Sequence, residues 1–239
     1  FSPQHLERLM KGIFAGAEIS PEHEFGFEAH PASTTFEHLE TLHRLGFRRL
    51  SIGVQDFDSE ILRIINRLQT FEDVHRVTWE ARSLGYTSLN YDLIFGLPLQ
   101  TPKNIEDNME KIRQLRPDRI AFYSYAHVPW IKPSQRAYSE ADLPMGEEKR
   151  QLYELGRELL ESAGYREIGM DHFALPTDSL CRAMENGSLH RNFMGYTSQF
   201  TSLSIALGAS SIGDTWDAFA QNEKEVETWS KLIDEGHFP

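Results

Sequence analysis

Leu45 to Asp56 read LGFRRLSIGVQD, and this short run holds the local grammar of the whole chain. An amphipathic helical pattern ends at Leu45. Gly46 then offers the left-handed conformation that closes a helix, an aromatic residue follows, and Arg49-Leu50-Ser51-Ile52-Gly53-Val54 reads as a buried strand. The same punctuation recurs at Leu84-Gly85-Tyr86-Thr87 and at Ala163-Gly164-Tyr165-Arg166, and Leu115-Arg116-Pro117-Asp118 achieves the stop with proline. The pattern predicts helices over 3–15, 34–45, 58–66, 71–84, 102–115 and 146–163, with strands over 24–29, 48–54, 88–94, 118–125 and 165–170. Such alternation builds a parallel sheet with crossover helices. No glycine-rich phosphate loop of the dinucleotide or Walker type is present, so a barrel or partial barrel is favoured over an open nucleotide-binding sheet.

The chain has 239 residues, 40% of them hydrophobic, enough for one sizeable α/β core. Lys and Arg number 24 against 36 Asp and Glu, a net charge of -12, and the basic residues are scattered. No footprint for nucleic acid or an anionic membrane results. No run of ~18 apolar residues occurs, and FSPQHLERLM lacks the charged and apolar regions of a signal peptide, so neither a membrane span nor secretion is expected. Cys181 is the single cysteine, which excludes an internal disulfide or a multi-cysteine metal site and fits the cytoplasm. Ser2-Pro3 reads as a helix N-cap followed by proline, so the chain opens on a helix.

Polar residues collect where the strands end: Glu28-Ala29-His30-Pro31, Gln55-Asp56, Asp92 ahead of Phe95-Gly96-Leu97-Pro98, and Ala126-His127-Val128-Pro129. Parallel α/β folds bind ligands at the carboxyl ends of their strands, so these tips form one candidate surface. Taken singly, Asp56 is a helix cap and the histidines serve loop backbone. Glu28 and Asp92 are different, because a carboxylate inside an apolar strand needs a partner. Arg67 is either a hook for a carboxylate or an exposed helix-end arginine. The run from Ala126 to Met145 is long for a compact domain and suggests a lid or disorder.

The runs SIGVQDF, Asn66-Arg67, DLIFGLPLQTP, YAHVP, IGMDHFALP and LHRNFMGYTSQ resemble the oxygen-independent coproporphyrinogen III oxidase family of radical S-adenosylmethionine enzymes. The resemblance runs over nearly the whole chain. It implies a partial (β/α) barrel of the radical SAM type over residues 1–221, with a family-specific extension, and the start of a C-terminal helical region over 222–239. Implied cofactors are S-adenosylmethionine and a 4Fe-4S cluster. The implied reaction is oxidative decarboxylation of coproporphyrinogen III to protoporphyrinogen IX, with an electron donor for the cluster.

Carried over to this sequence, Glu28 matches the acid that contacts the S-adenosylmethionine ribose. Gln55, Arg67 and Asp92 match S-adenosylmethionine contacts in members where a second such molecule sits beside the first, and Ala126 and Ile212 match backbone or apolar contacts. Asp171, His172, His190 and Arg191 fall in the oxidase-specific motifs, on a structural or substrate side; Arg136 and Arg191 are candidate partners for propionates. No catalytic side chain and no metal ligand is assigned. The family's CxxxCxxC loop has no counterpart here, so the resemblance implies that the cluster-binding part and the C-terminal domain lie outside these residues, and a polypeptide of these residues alone is expected to be inactive. A haem-binding relative of the same superfamily is the alternative reading.

Overall fold

Strands β1 (Phe25–Ala29), β2 (Phe47–Gln55), β3 (Ser88–Phe95) and β4 (Arg119–Ser124) pair in chain order, each parallel to the next. The computed structural model in which they are seen describes residues 1–192, 194–215 and 217–239. These fall into two units, Phe1–Cys181 and Arg182–Pro239.

In the first unit, α1 (Pro3–Gly16) precedes the sheet, and α2 (Phe36–Arg44), α3 (Ser59–Ile64), α4 (Phe71–Leu84) and α5 (Pro102–Leu115) connect successive strands. Thr35, Thr70 and Thr101 each open a connecting helix with a reciprocal capping box, local chemistry that needs no tertiary help. The far end of α4 closes on Gly85 at φ 98°, a left-handed position as the sequence predicts.

Burial alternates along the strands. Leu50, Ile52, Val54, Leu89, Tyr91, Leu93 and Phe122 are buried in one apolar core with Leu39, Val77, Ile105, Met109 and Leu152 of the helices. The intervening residues Ser51, Gly53, Gln55, Asn90 and Asp92 are only half-buried, so the helices cover one face of the sheet and a polar face is left open. That is half of a barrel wall, and it fits the expected partial barrel.

Helix α6 (Gly146–Ser162) approaches the sheet at Gly156, where an added Cβ would lie 2.4 Å from Phe122 Cε1 and 2.6 Å from its Cζ. Alanine normally favours a helix over glycine by about 1 kcal/mol, whereas overpacking costs about 1–3 kcal/mol. Gly156→Ala is therefore expected to lower the urea midpoint; a midpoint equal to or above that of the parent chain would refute this contact.

Past α6 the sheet departs from the simple parallel progression predicted. β5 (Arg166–Gly169) and β6 (His172–Ala174) form a hairpin, and β6 inserts between β4 and β5, antiparallel to both. Gly169, Met170 and Asp171 carry φ of 133°, 41° and 69°, which reverses the chain within the run read as a strand over 165–170 and its aftermath. Asp171 thus lies in a turn, its carbonyl accepting from Phe122 N at 2.7 Å. The segment 126–145 is folded: two short 3-10 turns, Pro133–Ala137 and Glu140–Asp142, are pinned by Gln135, which accepts from Val128 N at 2.5 Å and donates to Ala126 O at 3.1 Å.

Helix α7 (Ser179–Asn186) follows. In the second unit, β7 (His190–Asn192) pairs with β8 (Gly195–Thr197), while β9 (Leu203–Ser204), β10 (Ile212–Thr215) and β11 (Phe219–Gln221) form a small antiparallel sheet. Strands of two to four residues present no period to read, and the sequence reading placed no element there. Helix α8 (Val226–Asp234) falls in the stretch expected to be helical. Phe193 of the LHRNF motif lies outside the described residues.

Candidate functional site

The open face of the first unit brings the strand-tip residues into register. Glu28 stands opposite Ser51, Ser51 opposite Asn90, and Gly53 opposite Asp92, with Ala121 next in that row and His172 beyond it. Residues so aligned point to the same side, so the period of two that buries the apolar set also gathers this polar one.

Asp92 is the centre of a short network. Ser51 Oγ donates to its Oδ2 at 3.1 Å, and Asn90 Nδ2 donates both to its Oδ1 at 2.8 Å and to Ser51 Oγ at 3.0 Å. Burial pushes the Asp92 carboxyl above the ordinary range, the Glu28 carboxylate adds to the rise, and the bonds from Ser51 and Asn90 oppose it. A carboxyl raised by folding contributes stability below its ordinary value and loses it as pH rises through the folded one. Asp92→Asn is thus expected to melt higher than the parent chain at pH 7, with the difference closing at acid pH. Thermal scans at several pH values test this; a variant less stable than the parent at pH 7 would count against it.

Arg67 follows α3 and reaches back across the sheet, Nη2 donating to Gly53 O at 3.3 Å. Burial lowers its pKa and the Asp92 charge opposes that shift. A Cβ on residue 53 would meet Arg67 Nη2 at 2.8 Å and Gln55 Nε2 at 3.1 Å, so glycine is what lets both side chains lie over the strand. Between Gly53 and Gln55 the β2–β3 register shifts, and Gln55 sits at φ 68°. This bulge turns the amide toward Arg67. A cavity of about 190 Å³ opens there, lined by Gln55, Arg67, Ile94, Leu97, Tyr125 and Tyr138. The Tyr125 and Tyr138 hydroxyls are hydrogen-bonded to each other. His30, at the β1 tip, has its pKa lowered by burial and by the Arg67 charge.

Of the residues singled out in the sequence, Glu28, Gln55, Arg67 and Asp92 thus share the open face of the first unit. Ala126 lies beyond the β4 tip with its carbonyl accepting from Gln135. Ile212 belongs to the second unit, on β10, paired with Gln221. Arg136 donates to Pro129 O at 3.0 Å, and Arg191 lies 5.8 Å over the Tyr196 ring beside a cavity of about 500 Å³ in the second unit. The capping role allowed for Asp56 belongs to Asp58, whose Oδ1 accepts from Glu60 N and Ile61 N. Asp56 itself is wholly buried. Ser51 and Asn90 were missed as site residues, although polar residues on the alternate face of a strand are a signal of this kind.

The donor set of this chain does not fit an iron-sulfur cluster. Three thiolates are needed, whereas Cys181 is the single cysteine, buried with its thiol donating to Ala174 O. The described residues hold no group of three His, Cys, Asp or Glu able to bind a metal. They do suit a polar organic ligand carrying hydroxyls, a carboxylate and a cationic group: carboxylates from Glu28 and Asp92, an amide from Gln55 and a guanidinium from Arg67.

Sequence and fold comparisons show what the chain is similar to. Residues 3–112 match the family model described as the radical SAM superfamily. The chain is 41% identical over 240 residues to the oxygen-independent coproporphyrinogen III oxidase of Helicobacter pylori strain J99, covering all of this chain and 52% of the relative. It is 40% identical over 230 residues to the enzyme of the same name from Escherichia coli K12, covering 96% of this chain and 50% of that one. The solved coproporphyrinogen III oxidase (HemN) of Escherichia coli, described as a radical SAM enzyme, superposes with a TM-score of 0.94 at 39% identity, over 98% of this chain and 54% of that one. The chain spans about half the length of the curated relatives it matches. Among the described residues no helix is long and apolar enough to cross a membrane.

Proposed function

We propose that this chain is the S-adenosylmethionine-holding barrel portion of an oxygen-independent coproporphyrinogen III oxidase, which converts coproporphyrinogen III to protoporphyrinogen IX by oxidative decarboxylation in the cytoplasm. The observation that carries this reading is the convergence of Glu28, Gln55, Arg67 and Asp92 on one open face of a fold that superposes on such an oxidase. In that role Glu28 and Asp92 accept hydrogen bonds from ligand hydroxyl or ammonium groups, Arg67 pairs with a carboxylate, and Gln55 hydrogen-bonds beside it. Ala126 and Ile212 supply backbone and apolar contacts. S-adenosylmethionine held by these residues would supply radical chemistry for the decarboxylation in the whole protein, together with a 4Fe-4S cluster that this chain's own residues would not hold. The cluster's ligands and its electron donor lie outside this chain, whose own residues bind, orient and shield. Residues 222–239 begin a helical region.

Two measurements test the proposal. On the polypeptide of the whole reading frame, anaerobic reconstitution is expected to load about four iron and four sulfide per chain. That protein is then expected to release CO2 from coproporphyrinogen III in a manner that requires S-adenosylmethionine. A Soret shift on haem titration with no decarboxylation would replace the oxidase reading with a haem-binding one.

A further inference from the structure

Behind the open face lies a buried polar cluster that the ligand contacts do not use. Gln100, 5% exposed, sits in the β3–α5 turn and makes four hydrogen bonds. Its Oε1 accepts from Gly96 N at 2.7 Å and Leu97 N at 3.3 Å; its Nε2 donates to Ile94 O at 3.0 Å and to Asp56 Oδ2 at 2.7 Å. Asp56, with no exposure, also accepts from Asn108 Nδ2 at 3.0 Å and from Asp58 N at 2.7 Å. Asn108 in turn accepts from Phe57 N at 3.1 Å. On the other side of Gln55, Val54 O accepts from Gln69 Nε2 at 2.5 Å and from Asp56 N at 2.9 Å.

These bonds brace the tips of β2 and β3 where the chain takes left-handed conformations, Gln55 at φ 68°, Gly96 at φ 82° and Leu99 at φ 60°. A left-handed glutamine is strained unless its surroundings hold it. A buried carboxylate in a cap would need no such set of side-chain amides drawn from another strand's loop and from a helix. We propose that Gln100 is a positioning residue: through Asp56 and Asn108 it locks the β2 tip so that Gln55 faces Arg67, and through Gly96 and Leu97 it holds the β3 tip that forms the opposite wall of the same cavity. The proposal rests on the reading of that cavity as an S-adenosylmethionine site, and it adds a residue that touches no ligand.

The test uses the full chain with two substitutions. Gln100→Leu removes every bond at similar bulk. Backbone amides of 53–58 and 94–99 are then expected to exchange hydrogen about tenfold faster while those of α4 keep parent rates, and S-adenosylmethionine affinity is expected to fall about tenfold. Gln100→Glu gives a second readout that stands even if Gln100→Leu fails to fold. Protonated at pH 5, the introduced carboxyl can still donate to Asp56; ionised at pH 8, it and Asp56 repel and the clamp opens. The charged groups that contact these tips are Asp58, Arg67, which donates to Gly53 O at 3.3 Å, Lys111, whose Nζ is 3.4 Å from Phe57 O, and Lys149, whose side chain packs on Gly96. Gln100→Glu is thus expected to bind like the parent at pH 5 and about tenfold more weakly at pH 8, while α4 amides keep parent exchange rates at both pH values, which separates the clamp from a general loss of stability. Parent-like exchange at both tips in Gln100→Leu, or parent-like affinity of Gln100→Glu at both pH values, overturns the proposal. A parent chain that binds no S-adenosylmethionine defeats the ligand reading instead, and the exchange measurement still decides the clamp.

Discussion

Arg119→Met is expected to destabilise the first unit by about 3–5 kcal/mol. The Arg119 guanidinium and the Asp178 carboxylate are 7% and 2% exposed, with Nε donating to Oδ1 at 2.8 Å. Arg119 also donates to Ser179 Oγ at 2.9 Å, while Asp178 accepts from Ser88 Oγ at 3.2 Å and Leu180 N at 2.8 Å. Removing the arginine leaves the Asp178 carboxylate in a nearly dry site with neutral hydrogen-bond donors and only the Arg49 charge, itself paired with Glu24, to offset it. Attraction between the pair is largely offset by what it cost to bury them, so the loss comes from the stranded charge rather than from the bond. Arg49 gives a small opposing effect. It is paired with Glu24 at 2.8 Å, and its pKa is lowered by burial and next by Arg119, so it gains slightly when Arg119 goes. The double variant Arg119→Met with Asp178→Leu is expected to recover most of the loss. Urea denaturation of the two variants decides the matter: a single-variant loss under about 1 kcal/mol, or a double variant no better than the single, would show that burial of charge is not what matters there.

Arg67→Met is expected to weaken S-adenosylmethionine binding about 100-fold, close to 2.7 kcal/mol, with little change in folding stability. Its guanidinium has five donors but, among the described residues, a single hydrogen bond, the long one to Gly53 O. Burial already works against its charge, and Asp92 only partly compensates. A half-buried cation with donors to spare contributes little to the free protein and much to a ligand that completes its shell. Lysine is not expected to rescue the site, since a point charge cannot reproduce the planar fork. Calorimetric titration of the two variants beside a thermal scan separates the effects; unchanged affinity would remove Arg67 from the site, and a large fall in melting temperature would mark it as structural.

Helix starts at Thr35, Thr70 and Thr101, the glycine stops, and the two-residue period of β2 and β3 were legible in the chain because each is settled within a few residues by capping and by alternate burial. Glu28, Gln55 and Asp92 stood out for a related reason, since polar residues in or beside apolar strands are conspicuous locally, whereas Arg67, which follows a helix, was singled out as one of two readings and by the family resemblance. The runs that resemble the oxidase family carried the reading of function. Three features were out of reach. The bulge at Gly53 and Gln55 depends on a register with β3, the β5–β6 hairpin reverses the sheet at a turn whose residues read equally well as strand, and the clamp joins Asp56 to residues 44 and 52 positions away. Local sequence sets which segments are helix or strand, because caps, breakers and periodicity act between near neighbours. Which polar groups stay on the open face and which are buried behind it is settled by burial and hydrogen bonding between residues far apart in the chain, and that exists only once the sheet has closed against its helices.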